Sequence, residues 1–277
     1  MLGIDAYTSL YGIIGRPVRH SLSPAMHNAA FEHEGINAVY LAFETDSPRR
    51  AMDAVRTLNI KGLSVTVPHK ETVMEFLDET DDTAKRIGAV NTIKNLEGHL
   101  KGINTDWIGA LKALRAVTAI KDRLVVVLGA GGSARAVVYG LVKEGAKVHI
   151  ANRTEEKARS LAEEFSCAFS GLDNVSEIEG EILINTTSVG MGPLAGICPV
   201  PASMLGKFSV VMDIVYGKGG TRLLQEARSK GCTTIPGIEM LLYQAAAQFE
   251  FWTGHTAPLD VMRQALSSPQ ADRKQRA

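Results

Sequence analysis

Three polar residues stand where a proton could be handled. Lys70 follows V-T-V-P-H, Asp106 closes G-I-N-T-D, and Asn91 lies within G-A-V-N-T. Each falls at the end of a stretch that reads as a strand. Loops at strand carboxyl ends converge in an open α/β sheet, so the three are expected to meet. A lysine beside an aspartate is a proton-handling pair: the carboxylate keeps the ammonium in place, while burial pulls its proton affinity the other way. The two terms oppose each other, and residue order leaves their balance open. Such a pair suits oxidation of an alcohol, in which a base takes the hydroxyl proton as hydride leaves for a nicotinamide. Taken singly, each residue reads as a solvated loop group; three at corresponding strand ends point to a site.

A nicotinamide carrier needs its own platform, and residues 124–135 (L-V-V-V-L-G-A-G-G-S-A-R) supply one. The apolar run reads as a strand buried on both faces. Gly129 turns the chain, Gly131 lets backbone approach a pyrophosphate, and Ala134 lets the next helix pack closely. Ala130, Gly132 and Ser133 complete the turn. The helix start presents N–H groups and a positive dipole end to phosphate. About 20 residues on, at the end of a second strand, an NAD site would place an acid for the ribose. Here the chain has Asn152-Arg153-Thr154, with Lys157 one turn further. These cations attract a 2′-phosphate, and arginine binds one bidentately, so the expected cofactor is NADP.

The bulk properties set limits. The chain has 277 residues, long enough for two domains. Thirty basic and 30 acidic residues cancel, which argues against a nucleic-acid or anionic-membrane partner. Cys167, Cys198 and Cys232 are widely spaced with no C-x-x-C, as in reduced thiols of a cytoplasmic protein. No secretory signal and no apolar run of membrane-spanning length are present. His20, His27 and His69 lack metal-ligand spacing, and no metal is expected.

The elements that must position these groups follow from pattern. Residues 7–15 read as a strand. Pro24 suits the first turn of a helix with Ser23 as its N-cap and Ser21 in the loop; two hydroxyls there could instead hold a carboxylate. A strand over 38–43, a helix over 48–58 and a strand over 62–67 follow. Helices are expected over 70–77 and 82–87, then a hairpin turning at 95–98 and a helix opening at 102–106. Beyond residue 124, strands at 147–151, 181–185, 210–215 and 233–235 alternate with helices at 154–165 and 221–230, which implies a parallel sheet. A long helix spans 237–253, and Pro258 starts another. Residues 268–277 are polar and expected to fray. The expected organisation is α/β with two domains. Residues 1–106 and 238–277 form an N-terminal substrate domain completed by C-terminal helices. Residues 107–237 form an inserted Rossmann-type dinucleotide domain.

These stretches together resemble the shikimate dehydrogenase family along nearly the whole chain. The resemblance rests on G-R-P-V-R-H-S-L-S-P-A-M-H-N (15–28), S-V-T-V-P-H-K (64–70), G-A-V-N-T (88–92), G-I-N-T-D (102–106), G-A-G-G-S-A-R (129–135), N-R-T (152–154), N-T-T-S-V-G-M (185–191), D-I-V-Y (213–216) and G-I-E-M-L-L-Y-Q-A (237–245). It implies NADP-linked, reversible reduction of 3-dehydroshikimate to shikimate, on the route to aromatic amino acids, by a cytoplasmic monomer or homodimer. By resemblance, Ser21 and Ser23 bind the substrate carboxylate, and Thr66, Asn91, Asp106 and Gln244 hold its hydroxyls, with Tyr216 nearby. Lys70 becomes the acid/base, bonded with Asp106. Gly129, Ala130, Gly131, Gly132 and Ser133 cradle the pyrophosphate. Asn152, Arg153, Thr154 and Lys157 hold the adenosine end and its 2′-phosphate. Ile214 and Gly237 flank the nicotinamide, and Asp82 lies near the cofactor. The chain departs from the pattern at Ser64, where the family usually has Asn. It departs again at Gly217-Lys218-Gly219-Gly220, where the family usually has Pro. Use of quinate or NAD, and a silent NADP-sensing module on the same fold, remain as alternatives; a silent module could have lost Lys70 or Asp106, and this chain keeps both.

Overall fold

Short runs of β-branched and apolar residues alternate with helices that bury one face, and the chain folds into two units of this kind. The computed structural model describes residues 3–217 and 219–267. Met1–Thr105 with Leu242–Ala277 form one unit, and Asp106–Leu241 the other. The expected fraying at 268–277 and the loop residue Lys218 lie outside the described residues.

The first unit carries a six-stranded sheet of order β2-β1-β3-β5-β6-β4. Its strands are β1 (Ser9–Gly15), β2 (Ala38–Glu44), β3 (Gly62–Val65), β4 (Glu79–Thr80), β5 (Thr92–Leu96) and β6 (His99–Ile103). Helices α1 (Ser23–His33), α2 (Pro48–Thr57) and α3 (Asp82–Ile87) connect them. β1 pairs in parallel with β2 and β3, whereas β5 runs antiparallel to both β3 and β6. The antiparallel pair is the hairpin expected from residues 95–98. It closes at Glu97 and Gly98, both with positive φ (54° and 97°), the backbone of a tight primed turn. One sheet face is covered through Met52 and Val55 of α2, which join Ile14, Leu63, Val65, Ile93 and Leu100 in a common core.

The second unit is wholly parallel, in the order β12-β11-β10-β7-β8-β9. Its strands are β7 (Leu124–Leu128), β8 (Lys147–Asn152), β9 (Ala168–Gly171), β10 (Ile182–Asn185), β11 (Val210–Asp213) and β12 (Thr233–Pro236). Helices α4 (Asp106–Arg115), α5 (Gly132–Lys143), α6 (Glu155–Phe165) and α7 (Arg222–Ser229) accompany them. Strand order reverses between β7 and β10, which puts a topological switch point at the carboxyl ends of these two strands. Val125–Leu128 and the whole of β10 are buried, as two-sided coverage requires. The division between units falls within α8 (Gly237–Thr253), and α9 (Leu259–Leu266) packs on α1 in the first unit.

Some local readings are corrected. Residues 72–76 form a short 3-10 turn rather than a helix over 70–77. Ser23 is the first residue of α1 and Leu22 its N-cap. The Ser21 hydroxyl accepts the Ser23 N–H (3.2 Å), and the chain enters helical geometry one residue early. β9 and β4 were not anticipated. Both are short edge strands without an alternating pattern to mark them.

Candidate active site

In the first unit the polar groups gather at one end of the sheet, and the antiparallel hairpin explains how. Asn91 does not follow a strand; it immediately precedes β5. Because β5 runs against β3, its amino end lies beside the carboxyl end of β3, and the Val65 N–H donates to the Asn91 carbonyl (2.8 Å). β6 runs against β5 in turn, so Asn104 and Thr105 emerge at the same end, where Asn91 N–H donates to the Ile103 carbonyl (3.2 Å).

Asn91 is buried and held by hydrogen bonds that fix its amide polarity. Its Oδ1 accepts from the Thr105 backbone N–H (2.8 Å) and from the Thr92 hydroxyl (2.7 Å). A backbone N–H can only donate, so Oδ1 faces inward. Nδ2 donates to the Thr105 hydroxyl (3.0 Å) and to Oε1 of Gln244 (3.3 Å), which is itself buried on α8. The structure therefore brings Asn91 and Gln244 together, and adds Thr105, which residue order did not single out.

Lys70 lies half-buried just past β3. Its carbonyl accepts the Val90 N–H (2.8 Å), one residue before Asn91. The neighbouring His69 is buried, and its Nε2 donates to the Thr45 carbonyl (2.7 Å) at the end of β2. Thr66 takes its place through an N–H bond to the Ile14 carbonyl (2.9 Å), while its methyl fills the space beside Gly15. Ser21 and Ser23 are both buried, and the Ser23 hydroxyl makes no hydrogen bond among the described residues. Asp106 is buried at the first turn of α4, on the second unit's side of the division.

In the second unit the expected glycine turn is present. Gly129 has φ +111°, and a Cβ there would come within 2.6 Å of the Thr186 hydroxyl. Its N–H donates to the Ala151 carbonyl (2.9 Å), which sets the turn beside the end of β8. Gly131 is the N-cap of α5, with open space where a side chain would stand, and Ala134 is buried. Ala130, Gly132 and Ser133 are only partly buried, so the first turn of α5 stays accessible. At the end of β8, Asn152 donates to the Thr154 carbonyl (2.9 Å), and Thr154 begins α6. Arg153 and Lys157 are exposed, and no acidic group pairs with either among the described residues. The turn and the two cations fit a dinucleotide with a 2′-phosphate.

Asp213 organises the other edge of this sheet. Fully buried at the end of β11, it accepts from Thr221 Oγ1 (2.6 Å), Asn185 Nδ2 (2.9 Å) and the Val215 N–H (3.0 Å). Burial pushes its carboxyl up to about 6 against those donors, which favour the ionised form. Ile214 follows directly. A Cβ on Gly237 would collide with the Ile214 carbonyl and come within 2.8 Å of that of Asp213, so only glycine fits. Tyr216 is partly buried in the loop beyond. Residue order gave no role to Asp213; its signal is a carboxylate ending an otherwise apolar strand.

Asp82 belongs to the first unit. It is fully exposed in the first turn of α3, 3.7 Å from Lys85. The histidines also separate. His27 is wholly buried among Phe31, Tyr40 and Trp252, and burial pushes its imidazole down to about 3, which keeps it neutral. Among the described residues no three histidine, cysteine or acidic side chains gather as metal ligands, and no helix is long and apolar enough to cross a membrane.

Three family models match the chain. Residues 13–93 match the shikimate dehydrogenase substrate binding domain, 112–190 match shikimate / quinate 5-dehydrogenase, and 237–266 match the shikimate 5'-dehydrogenase C-terminal domain. A shikimate dehydrogenase (NADP(+)) of Pyrococcus abyssi is 49% identical over 92% of this chain and 96% of its own. The crystal structure of shikimate dehydrogenase from Aquifex aeolicus is 43% identical with a TM-score of 0.90, covering 96% of this chain and 100% of that one. The Thermus thermophilus enzyme, solved in complex with NADP(H) and shikimate, is 38% identical with a TM-score of 0.86, over 96% and 100%. With its motifs, its two α/β units and relatives this similar over nearly their full length, the chain belongs to the shikimate dehydrogenase family.

Proposed function

We propose that this chain is an NADP-dependent shikimate dehydrogenase, interconverting 3-dehydroshikimate and shikimate in aromatic biosynthesis. The observation that carries the reading is 49% identity to a relative of that name across 92% of the chain. The buried Asn91–Gln244 amide pair and the accessible glycine turn support it. The first unit is read as the substrate-binding and catalytic domain, and the second as the NADP-binding domain. The enzyme is read as cytoplasmic, acting on a small molecule as a monomer or homodimer.

The residues divide the work by chemistry. Ser21 and Ser23 offer hydroxyl donors to the substrate carboxylate. Thr66, Asn91, Asp106 and Gln244 hold the ring hydroxyls, with Tyr216 beside them. Asn91 turns Oδ1 inward, so its Nδ2 is the atom aimed toward Gln244. Lys70 Nζ takes the proton from the reacting hydroxyl during oxidation and returns it to the carbonyl oxygen during reduction. Asp106 orients that amine and the ammonium formed when it takes the proton. The backbone from Gly129 to Ser133 and the start of α5 receive the pyrophosphate. Asn152, Arg153, Thr154 and Lys157 receive the adenosine end, and Ile214 and Gly237 border the nicotinamide. Asp82 belongs to the reading only as a neighbour of the cofactor. When bound, NADP supplies the hydride acceptor.

The test is NADPH formation from shikimate and NADP by the wild type and Lys70→Ala. The expected result is a kcat lower by about 10²–10⁴ with a smaller change in KM. Unchanged turnover in the variant would remove Lys70 from the chemistry.

A further inference from the structure

We propose that Ser64, Tyr40 and Gln248 form a positioning relay that helps to hold Asn91 in its orientation toward the substrate. The proposal rests on the reading of Asn91 as a substrate-binding residue. Ser64 is a buried polar residue on β3, and the structure shows where its hydroxyl goes. It accepts from the Tyr40 hydroxyl (2.6 Å) and donates to Oε1 of Gln248 (2.9 Å). Both bonds are buried, and Ser64 itself is 3% exposed. With its one proton given and a donor received, this side chain serves Gln248 rather than a ligand.

Gln248 carries the constraint onward. Its Oε1 is occupied by Ser64, so Nε2 is turned the other way, where it donates to the Asn91 carbonyl (3.1 Å) and the Thr92 hydroxyl (3.0 Å). The Thr92 hydroxyl accepts from Gln248 and donates its proton to Asn91 Oδ1 (2.7 Å). The bonds run in one direction, Tyr40 to Ser64 to Gln248 to Thr92 to Asn91, because the Asn91 carbonyl only accepts and so fixes which way the Gln248 amide faces. The relay reinforces the polarity that the Thr105 N–H imposes at Asn91, oxygen inward and Nδ2 toward Gln244. Gln244 and Gln248 are four residues apart on α8, so one helix face carries both the ligand-facing amide and the amide that steers its partner. Stacking of the Tyr40 ring on buried His27 (centroids 4.5 Å, 18° between planes) holds the start of the relay. Because it is buried, losing the Ser64 hydroxyl removes two hydrogen bonds at once and loosens the hold on Asn91.

The test is steady-state kinetics with shikimate and NADP for wild type, Gln248→Leu, Asn91→Ala and the double variant. Gln248→Leu is expected to raise KM for shikimate about tenfold, with kcat and the KM for NADP within about twofold. In the Asn91→Ala background the same change is expected to add nothing, because the relay acts through Asn91. Equal rises in both KM values, or effects that multiply in the double variant, would overturn the relay while leaving Asn91's role intact. An Asn91→Ala variant with unchanged KM for shikimate would overturn the reading of Asn91 and the relay with it. Should Gln248→Leu fail to fold, Ser64→Thr and Ser64→Val give the same answer, since they share a shape and differ by the hydroxyl. The threonine variant is expected to keep the wild-type KM and the valine variant to raise it about fivefold. Equal KM values for the pair would overturn the relay.

Discussion

At the scale of single residues, the proposed reading makes the choice between NAD and its 2′-phosphorylated form turn on Arg153 and Lys157. Both are exposed and unpaired by any acid among the described residues. A charge-assisted bond to phosphate is worth about 1.5–3 kcal/mol. Arg153→Ala is therefore expected to raise KM for NADP by about 10–100-fold and to leave KM for NAD within about twofold, measured with shikimate saturating. Equal losses for the two nucleotides would assign Arg153 to the shared part of the cofactor. The position of these cations just past β8 was legible in residue order, because a strand end about 20 residues after a glycine turn is a fixed address. The polarity of Asn91 was not legible. It depends on a backbone N–H from Thr105 and a hydroxyl chain from Tyr40 on another strand, contacts that exist only once the sheet closes. Gln248 did leave a trace, as a second glutamine four residues after Gln244 in a helix otherwise rich in alanine and aromatic residues.

At the scale of elements, the hairpin of β5 and β6 and the end of β11 do the positioning. The hairpin delivers Asn91 and Thr105 to the end of the sheet where β3 hands over to Lys70. Alternation of strand and helix suggested parallel pairing, and the parallel sheet of the second unit followed it. In the first unit the hairpin reverses direction, so Asn91 reaches the site from the amino end of its strand. At β11, Asp213 ties the Val215 backbone, Asn185 of β10 and the Thr221 cap of α7 to one carboxylate. Its folded value, about 6, lies above its ordinary 3.8. The native state therefore holds the extra proton between those two values, and this group's contribution to stability is lost as pH rises from about 4 to about 6. Asp213→Asn is expected to remove that loss, on the order of 3 kcal/mol, so that Tm in the variant falls less over the same window. A parallel fall in both proteins would show that the carboxylate is ionised throughout. Gly237→Ala forces a methyl onto the Ile214 carbonyl. It is expected to cost about 2 kcal/mol or more in denaturant unfolding and to raise KM for NADP, because the Ile214 backbone must shift.

At the scale of the whole molecule, two α/β units divide substrate and nucleotide between them in the proposed reading. Ligand that binds only the folded protein stabilises it by mass action, by about 2.7 kcal/mol at a hundredfold excess over Kd. NADP is therefore expected to raise Tm by roughly 5 °C or more, and NAD at the same concentration by clearly less. The organisation into an interrupted first unit and an inserted parallel unit was largely legible, since the glycine turn and the strand–helix alternation mark the inserted sheet from end to end. The short edge strands β4 and β9 were not, because so few residues carry no period. The central claim is oxidation of shikimate with NADP. Its most direct test compares shikimate and quinate against NADP and NAD by steady-state kinetics on the purified protein. The account predicts the highest kcat/KM for shikimate with NADP, by about tenfold or more over each other pair. Absence of NADPH formation from shikimate, or a higher kcat/KM with NAD, would contradict it.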